Sequence, residues 1–166
     1  MRRAIVCILA LAVLWVLPEA RADEPASNDP RVSFSLPGLD GKKHELKEWR
    51  NKVVLLNFWA SWCSPCQTEI RDLVDYQTKY AAAGLQIVGI GLDDEVKLRN
   101  VQRSLEINYP VLLDNGPGPS LMSRLGNLQG VVPYTVVVSR KGSVVYTHAG
   151  LINKEIFTEA ILPLLK

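Results

Sequence analysis

The sequence predicts an α/β fold, a central mixed β-sheet flanked by helices. Two continuous apolar runs, residues 52–59 (KVVLLNFW) and 85–92 (LQIVGIGL), have the composition of strands buried on both faces. Between them, residues 64–83 carry Ile70, Leu73, Val74, Tyr76, Gln77 and Tyr80 at helical spacing. Further on, residues 134–139 (YTVVVS) and 143–147 (SVVYT) flank Arg140-Lys141-Gly142 and read as an antiparallel hairpin.

The remaining elements follow in order. Residues 23–31 (DEPASNDPR) are polar and proline-containing and read as a flexible leader. Residues 32–36 alternate as a short strand would, and 38–41 form a turn. Gly84 ends the helix of 64–83 in the usual left-handed manner. Asp93-Asp94 supplies a cap for a helix running to about Glu106, with Val96, Leu98, Val101 and Leu105 along it. Residues 111–113 make a short strand and 119–125 a short helix. Residues 153–165 read as a closing amphipathic helix. There is no internal repeat and no low-complexity stretch.

The chain of 166 residues suits one domain. With 48% hydrophobic and 22% charged residues it is neither disordered nor collagen-like. A net charge of +2 argues against nucleic acid as a partner. Three cysteines are too few for a disulfide-stapled scaffold, so each is judged by its position.

The N-terminus reads as a targeting segment. Arg2 and Arg3 precede an unbroken apolar run over 4–17, Pro18 breaks it, and Ala20-Arg21-Ala22 supplies a small-x-small site. Residues 1–22 are therefore expected to be a signal peptide, 23–31 the leader and 32–166 the folded domain. The other reading is an uncleaved membrane anchor, although a spanning helix needs about 20 apolar residues. Cys7 lies within the apolar run and leaves with it. Removing this segment takes away three basic residues and one acidic one, so the basic character belongs to the export signal. The expected location is the periplasm or another extracytoplasmic compartment, where disulfides are permitted.

The chemistry is expected at Trp62-Cys63-Ser64-Pro65-Cys66. A buried strand runs up to Cys63, which meets the start of a helix. Free N–H groups and the helix dipole there favour a thiolate. Cys66 comes round to the same face within disulfide reach. Cys63 is assigned as the attacking cysteine and Cys66 as the more buried, resolving one. Pro65 fits the first helical turn, where its missing N–H costs nothing. A Cys-x-x-Cys pair is also half a zinc site, but His44 and His148 are far apart and lack ligand spacing. A structural disulfide closing so short a loop would stabilise little.

The run from Asn57 to Cys66 (NFWASWCSPC) resembles the active site of thioredoxin-fold proteins, above all the exported TlpA/ResA-like thiol–disulfide oxidoreductases, which include the cytochrome c maturation reductases. The resemblance covers residues 32–166. It implies a thioredoxin fold with N-terminal and central strand–helix additions, the latter in residues 92–110. The family's acidic residue three beyond the second cysteine matches Glu69. Val131-Val132-Pro133-Tyr134-Thr135 matches the segment that ends in a cis-proline, whose preceding backbone pairs with substrate. Trp62, Pro65, Val132 and Pro133 would then form an apolar substrate platform around Cys63, with Trp59 in the core.

Three departures stand out. Arg50 or Asn51 occupies the place of the family's usual glycine. Asn57 replaces the buried aspartate of cytoplasmic thioredoxins and cannot accept a proton from the resolving thiol. The proline that kinks this helix in relatives is absent around Ile70-Arg71. Glu69 and Glu155 are the candidates for acid/base work, with a solvated helix position the more usual place for Glu69.

The expected function is protein disulfide reduction by a Cys63/Cys66 dithiol cycle, in cytochrome c maturation or reduction of copper-site cysteines. Partners would be protein disulfides and a membrane electron donor, with no cofactor, metal or nucleic acid. The alternative is a Sco-type copper-delivery protein using both cysteines and His148. Those proteins space their cysteines Cys-x-x-x-Cys, unlike this chain. A peroxidase of related fold is a third reading, and its attacking cysteine normally lacks so close a partner.

Overall fold

The computed structural model describes residues 32–116 and 120–166. The proposed signal segment 1–22, the leader 23–31 and Pro119 lie outside the described residues.

The chain runs β1 (Ser35–Pro37), β2 (Lys43–Glu45), a 3-10 turn (Leu46–Trp49), β3 (Val53–Trp59), α1 (Ser64–Tyr80), a 3-10 turn (Ala81–Ala83), β4 (Leu85–Gly91) and α2 (Glu95–Ser104). It continues through β5 (Val111–Leu113), α3 (Leu121–Arg124), β6 (Tyr134–Val138), β7 (Val144–Ala149) and a closing helix that begins with α4 (Lys154–Ile156). The main sheet has the order β5-β4-β3-β6-β7. β3 is parallel to β4, β4 is parallel to β5, and β6 runs antiparallel to both β3 and β7. β1 and β2 form a separate antiparallel hairpin.

β3 is central, and all seven of its residues are buried. Its alternate side chains serve two cores. Val53 and Leu55 pack with Leu73 of α1 and with Phe157 and Ile161 of the closing helix. Val54, Leu56 and Phe58 pack on the other face with Phe34, Trp49, Leu121 and Met122. Each such side chain, fully buried, stabilises the fold by about 1.5–3 kcal/mol. This explains the unbroken apolar run: a strand covered on both faces has no solvent side to leave polar. Gly91 lets α2 approach the sheet, since a Cβ there would collide with Leu98, which packs in the cluster that holds Trp59 and both cysteines.

Gly84 ends the first helical segment at φ 94°. Asp94 caps α2, accepting from the N–H of Val96 at 2.9 Å. Three expectations change. The first strand begins at Ser35, not Val32; the Val32 N–H instead donates to Gly142 O at 2.9 Å beside the β6–β7 turn. β7 extends through Ala149, so His148 lies within the hairpin, opposite Thr135, and not after it. The closing helix is not uniformly α: after α4 it widens to a π segment (Phe157–Ile161) and tightens to a 3-10 turn (Leu162–Leu165). Pro163 is the physical cause, because it has no N–H and its ring crowds the carbonyl four residues back, that of Glu159. α1 is continuous through Ile70-Arg71.

Candidate redox site

The site is built where β3 hands over to α1. The Cys63 N–H donates to Ala60 O at 3.1 Å, and the Gln67 side chain donates to Ser61 O at 2.7 Å. The Ser61 hydroxyl donates to Asp93 in the connection between β4 and α2. The turn between strand and helix is thus held from both sides. Cys63 is the N-cap of α1, with φ −88° and ψ 98°. Its Sγ accepts from the Cys66 N–H at 3.3 Å, as a capping oxygen would. The cysteines form a disulfide with Sγ–Sγ 2.06 Å and Cα–Cα 5.3 Å. Cys63 is 4% exposed and Cys66 wholly buried, whereas Trp62 beside them is 73% exposed. Pro65 is exposed in the first turn of α1.

Behind the pair lies a buried polar group. Glu69 is fully buried on α1, three residues beyond Cys66 and so on the same helix face. It is not the solvated helix residue that the sequence suggested. One carboxylate oxygen accepts from the Asn57 side-chain amide at 2.8 Å, the other from the Ile152 N–H at 2.6 Å. Burial pushes its pKa up to about 7, outweighing these two hydrogen bonds. Asn57, expected only as a substitution for aspartate, is the residue that holds Glu69. Ile152 has no sequence signal, because a backbone N–H carries no residue identity. Asp93 read as a capping residue; Asp94 caps, and Asp93 holds Ser61. Glu155 is exposed on α4. Its charge acts on Tyr76, ten residues along α1 from Cys66, which is about 15 Å of helix.

The Val132–Pro133 peptide bond is cis. Val132 packs against the apolar cluster that contains both cysteines. Pro133 is buried and leads directly into β6. The preceding loop is clasped by the side chain of Asn127, which donates to Val131 O at 2.6 Å and accepts from Val131 N–H at 3.2 Å. The clasp leaves Leu128 84% and Val131 45% exposed.

The histidines lie apart from this chemistry. His44 is held between Asp40 and Glu48, and His148 stacks on Tyr146. Among the described residues no three His, Cys, Asp or Glu side chains are grouped to hold a metal ion. A cleft of about 900 Å³, lined by Phe34, Trp49, Arg50, Val54 and Lys141, lies at the start of β3, the opposite end from the cysteines.

A mixed sheet whose central strand delivers a Cys-x-x-Cys pair to a helix N-terminus, facing a cis-proline segment, defines a thioredoxin-fold thiol–disulfide oxidoreductase. The chain belongs to the AhpC/TSA family, whose model matches residues 28–147. It is 31% identical over 125 residues to the thiol-disulfide oxidoreductase ResA of Bacillus cereus, covering 74% of this chain and 69% of that protein. It is 29% identical to the ResA of Geobacillus thermodenitrificans over 164 residues, 92% of this chain and 88% of the other. Among solved structures it is similar to a thiol:disulfide interchange protein of the thioredoxin family from Chlorobium tepidum, with 29% identity and a TM-score of 0.71 over 82% of this chain and 96% of that one. The Cys63–Cys66 pair is the redox motif of this thiol–disulfide oxidoreductase.

Proposed function

We propose that this protein is an exported protein disulfide reductase in which Cys63 attacks and Cys66 resolves. The observation that carries the reading is the asymmetry of the pair. Cys63 caps α1, where its sulfur accepts the Cys66 N–H; Cys66 is sealed one turn inside. The thiolate of Cys63 attacks a substrate disulfide, forming a mixed disulfide and releasing one substrate thiolate. Cys66 loses its proton and displaces the second substrate thiolate, so the substrate gains two electrons and Cys63–Cys66 becomes the disulfide. Glu69 is the proton acceptor for Cys66: a buried carboxylate with a pKa near 7 is matched to that transfer at neutral pH.

Trp62, Pro65, Val132 and Pro133 form the substrate platform. Among the described residues neither the N–H nor the C=O of Val132 has a hydrogen-bond partner, which leaves both for a substrate strand. Glu155 has no part in this scheme. Residues 1–22 would direct the protein to the periplasm or a comparable compartment by a cleaved signal peptide, or hold it at a membrane if uncleaved. Reduction in such a compartment requires electrons from a membrane donor. The resemblance of residues 57–66 to the TlpA/ResA-like oxidoreductases, which include the cytochrome c maturation reductases, favours substrates of that type. Copper delivery has no comparable support, since His148 lies on β7 stacked on Tyr146.

Equilibration of the purified domain with glutathione at defined ratios tests the direction. A reductase requires a pair more reducing than the glutathione couple; a more oxidising pair would make the protein a disulfide donor and reject the proposal. Glu69→Gln tests the proton acceptor. A fall in kcat/KM for disulfide reduction of about 100-fold, with loss of the pH limb near 7, is expected. An unchanged pH profile would remove Glu69 from the mechanism.

A further inference from the structure

Three buried polar side-chain atoms have no hydrogen-bond partner among the described residues: Asn57 Oδ1, Trp59 Nε1 and Tyr109 Oη. All three residues are in the sealed interior, with Asn57 and Trp59 wholly buried and Tyr109 4% exposed. An orphaned buried polar group costs about 1–3 kcal/mol, so three in one region call for a common explanation.

They gather around one glycine. Asn57 of β3 stands opposite Gly89 of β4 in the sheet register. A Cβ built on Gly89 would lie 3.0 Å from Trp59 Nε1 and 3.4 Å from Tyr109 Cε2. The segment carrying Tyr109 is fixed there: the Gly89 N–H donates to Pro110 O at 2.9 Å, and the Asn108 amide donates to Val74 O of α1 at 3.1 Å. Tyr109 is therefore wedged between β4 and α1, the layer that also contains Glu69. The missing side chain at Gly89 lets the indole nitrogen and the tyrosine ring close on one point of β4, where even a Cβ would be crowded.

The chemistry of the three atoms is complementary. The indole N–H only donates, the phenol donates, and the amide oxygen accepts. A water molecule accepts two hydrogen bonds and donates two, and buried waters typically make about three. We propose that Trp59, Tyr109 and Asn57 bind one buried water between them, beside Gly89, and that this water helps hold the Asn57 amide in the orientation that presents its Nδ2 to Glu69. Tyr109 and Trp59 are then positioning residues of the redox site. Without the water the amide orientation would rest on the bond to Glu69 and on one long contact, Nδ2 donating to Thr135 Oγ1 at 3.5 Å, whose hydroxyl could equally donate to an inverted amide oxygen. Burial, with the Glu69 charge adding to it, raises the Tyr109 pKa, so the phenol stays a donor. The titratable groups facing Glu69 are Asp72 on its own helix and Tyr109 from the α2–β5 connection.

The inference deepens the role proposed for Glu69, and its test is read on the carboxyl group itself, whether or not that group serves Cys66. NMR of the oxidised protein is expected to show a long-lived water contact at the Trp59 indole N–H. A 13C titration of the Glu69 carboxyl is expected to move up by roughly half a unit in Tyr109→Phe, because a loosened Asn57 amide stabilises the carboxylate less. Gly89→Ala, which places a methyl group against the indole nitrogen, should abolish the water contact and move the titration the same way. Tyr146→Phe on β7 should change neither. No water contact in the wild-type protein overturns the proposal, and that measurement holds even where a variant fails to fold. A water contact with an unmoved Glu69 titration in folded Tyr109→Phe overturns the positioning role.

Discussion

The carboxylate of Glu69 accepts a hydrogen bond from the Ile152 N–H, 83 residues further along the chain, at 2.6 Å. This contact ties the redox helix α1 to the segment entering the closing helix, across a layer where both residues are fully buried. A buried carboxylate bonded to a backbone N–H and to the Asn57 amide is well partnered when charged, yet burial still raises its pKa to about 7. The same residue is therefore a structural link and a buried titrating group, and its titration is coupled to folding.

The sign of that coupling follows from the direction of the shift. The folded pKa of about 7 lies above the ordinary value of 4.5, so between these pH values the native protein holds a proton that the unfolded chain releases. Stability is expected to fall as pH rises from 4.5 through 7, by up to roughly 3 kcal/mol from this group alone. Urea unfolding of the oxidised protein at pH 5 and pH 8 measures the difference. Glu69→Gln should flatten it while lowering stability at pH 5, because its amide cannot accept from both Asn57 and Ile152. Equal pH dependence in the two proteins would contradict a buried, titrating Glu69.

His44 is expected to act in the same sense, in a higher pH range. Its ring lies 3.1 Å from Asp40 and 2.9 Å from Glu48, and it stacks on Trp49. Partial burial opposes its charge, but hydrogen bonds and charges from Glu48 and Asp40 outweigh this and raise its pKa. The pairing stabilises the protein fully below the unfolded histidine value of about 6.5 and is lost as pH rises through the elevated folded value. His44→Asn should destabilise by about 1 kcal/mol or less at pH 5.5, since both carboxylates are substantially exposed, and by less at pH 9. Thermal unfolding at the two pH values checks the difference. Disulfide reduction should be unaffected, because His44 anchors the β1–β2 hairpin and not the cysteines.

Much of this arrangement was legible in the sequence, for identifiable reasons. β3 and β4 are covered on both faces, so their apolar runs are continuous and long enough to read. The Cys63-x-x-Cys66 pair sits at a strand-to-helix junction that its chemistry requires. Asp94 and Gly84 announce helix ends because capping oxygens and left-handed backbone select residue types. β2 was not legible: three residues, Lys43 to Glu45, cannot establish an alternation, and their pairing with β1 comes from the turn between them. The irregular end of the closing helix was hidden because its apolar spacing fits an α-helix and only Pro163 interrupts it. Glu69 was named as a candidate, but its burial was not readable. A carboxylate at a helical position looks solvated unless its partners are known, and these come from Asn57 and the distant Ile152. The crowding at Gly89 was silent for a similar reason, since it brings together Trp59 of β3, Gly89 of β4 and Tyr109 of the α2–β5 connection.

The division of labour between the cysteines gives the sharpest test. In reduced protein the Cys63 sulfur, at the N-cap of α1, is stabilised as a thiolate by the helix dipole and the free N–H groups there. Cys66 is one turn inside and fully buried, where desolvation disfavours a thiolate. Cys63 is therefore expected to be alkylated first at neutral pH, with an apparent pKa below the free-thiol value of about 8.5. Mass spectrometry after limiting iodoacetamide reads the order directly. Cys66→Ser should accumulate mixed disulfides through Cys63, because the first attack proceeds and the resolving step does not. Cys63→Ser should trap none, since the remaining thiol is buried and its sulfur cannot reach a substrate disulfide. Both variants should lose insulin-disulfide reduction. Full activity in Cys66→Ser would establish a monothiol mechanism, and faster alkylation of Cys66 would refute the assignment of Cys63 as the attacking residue.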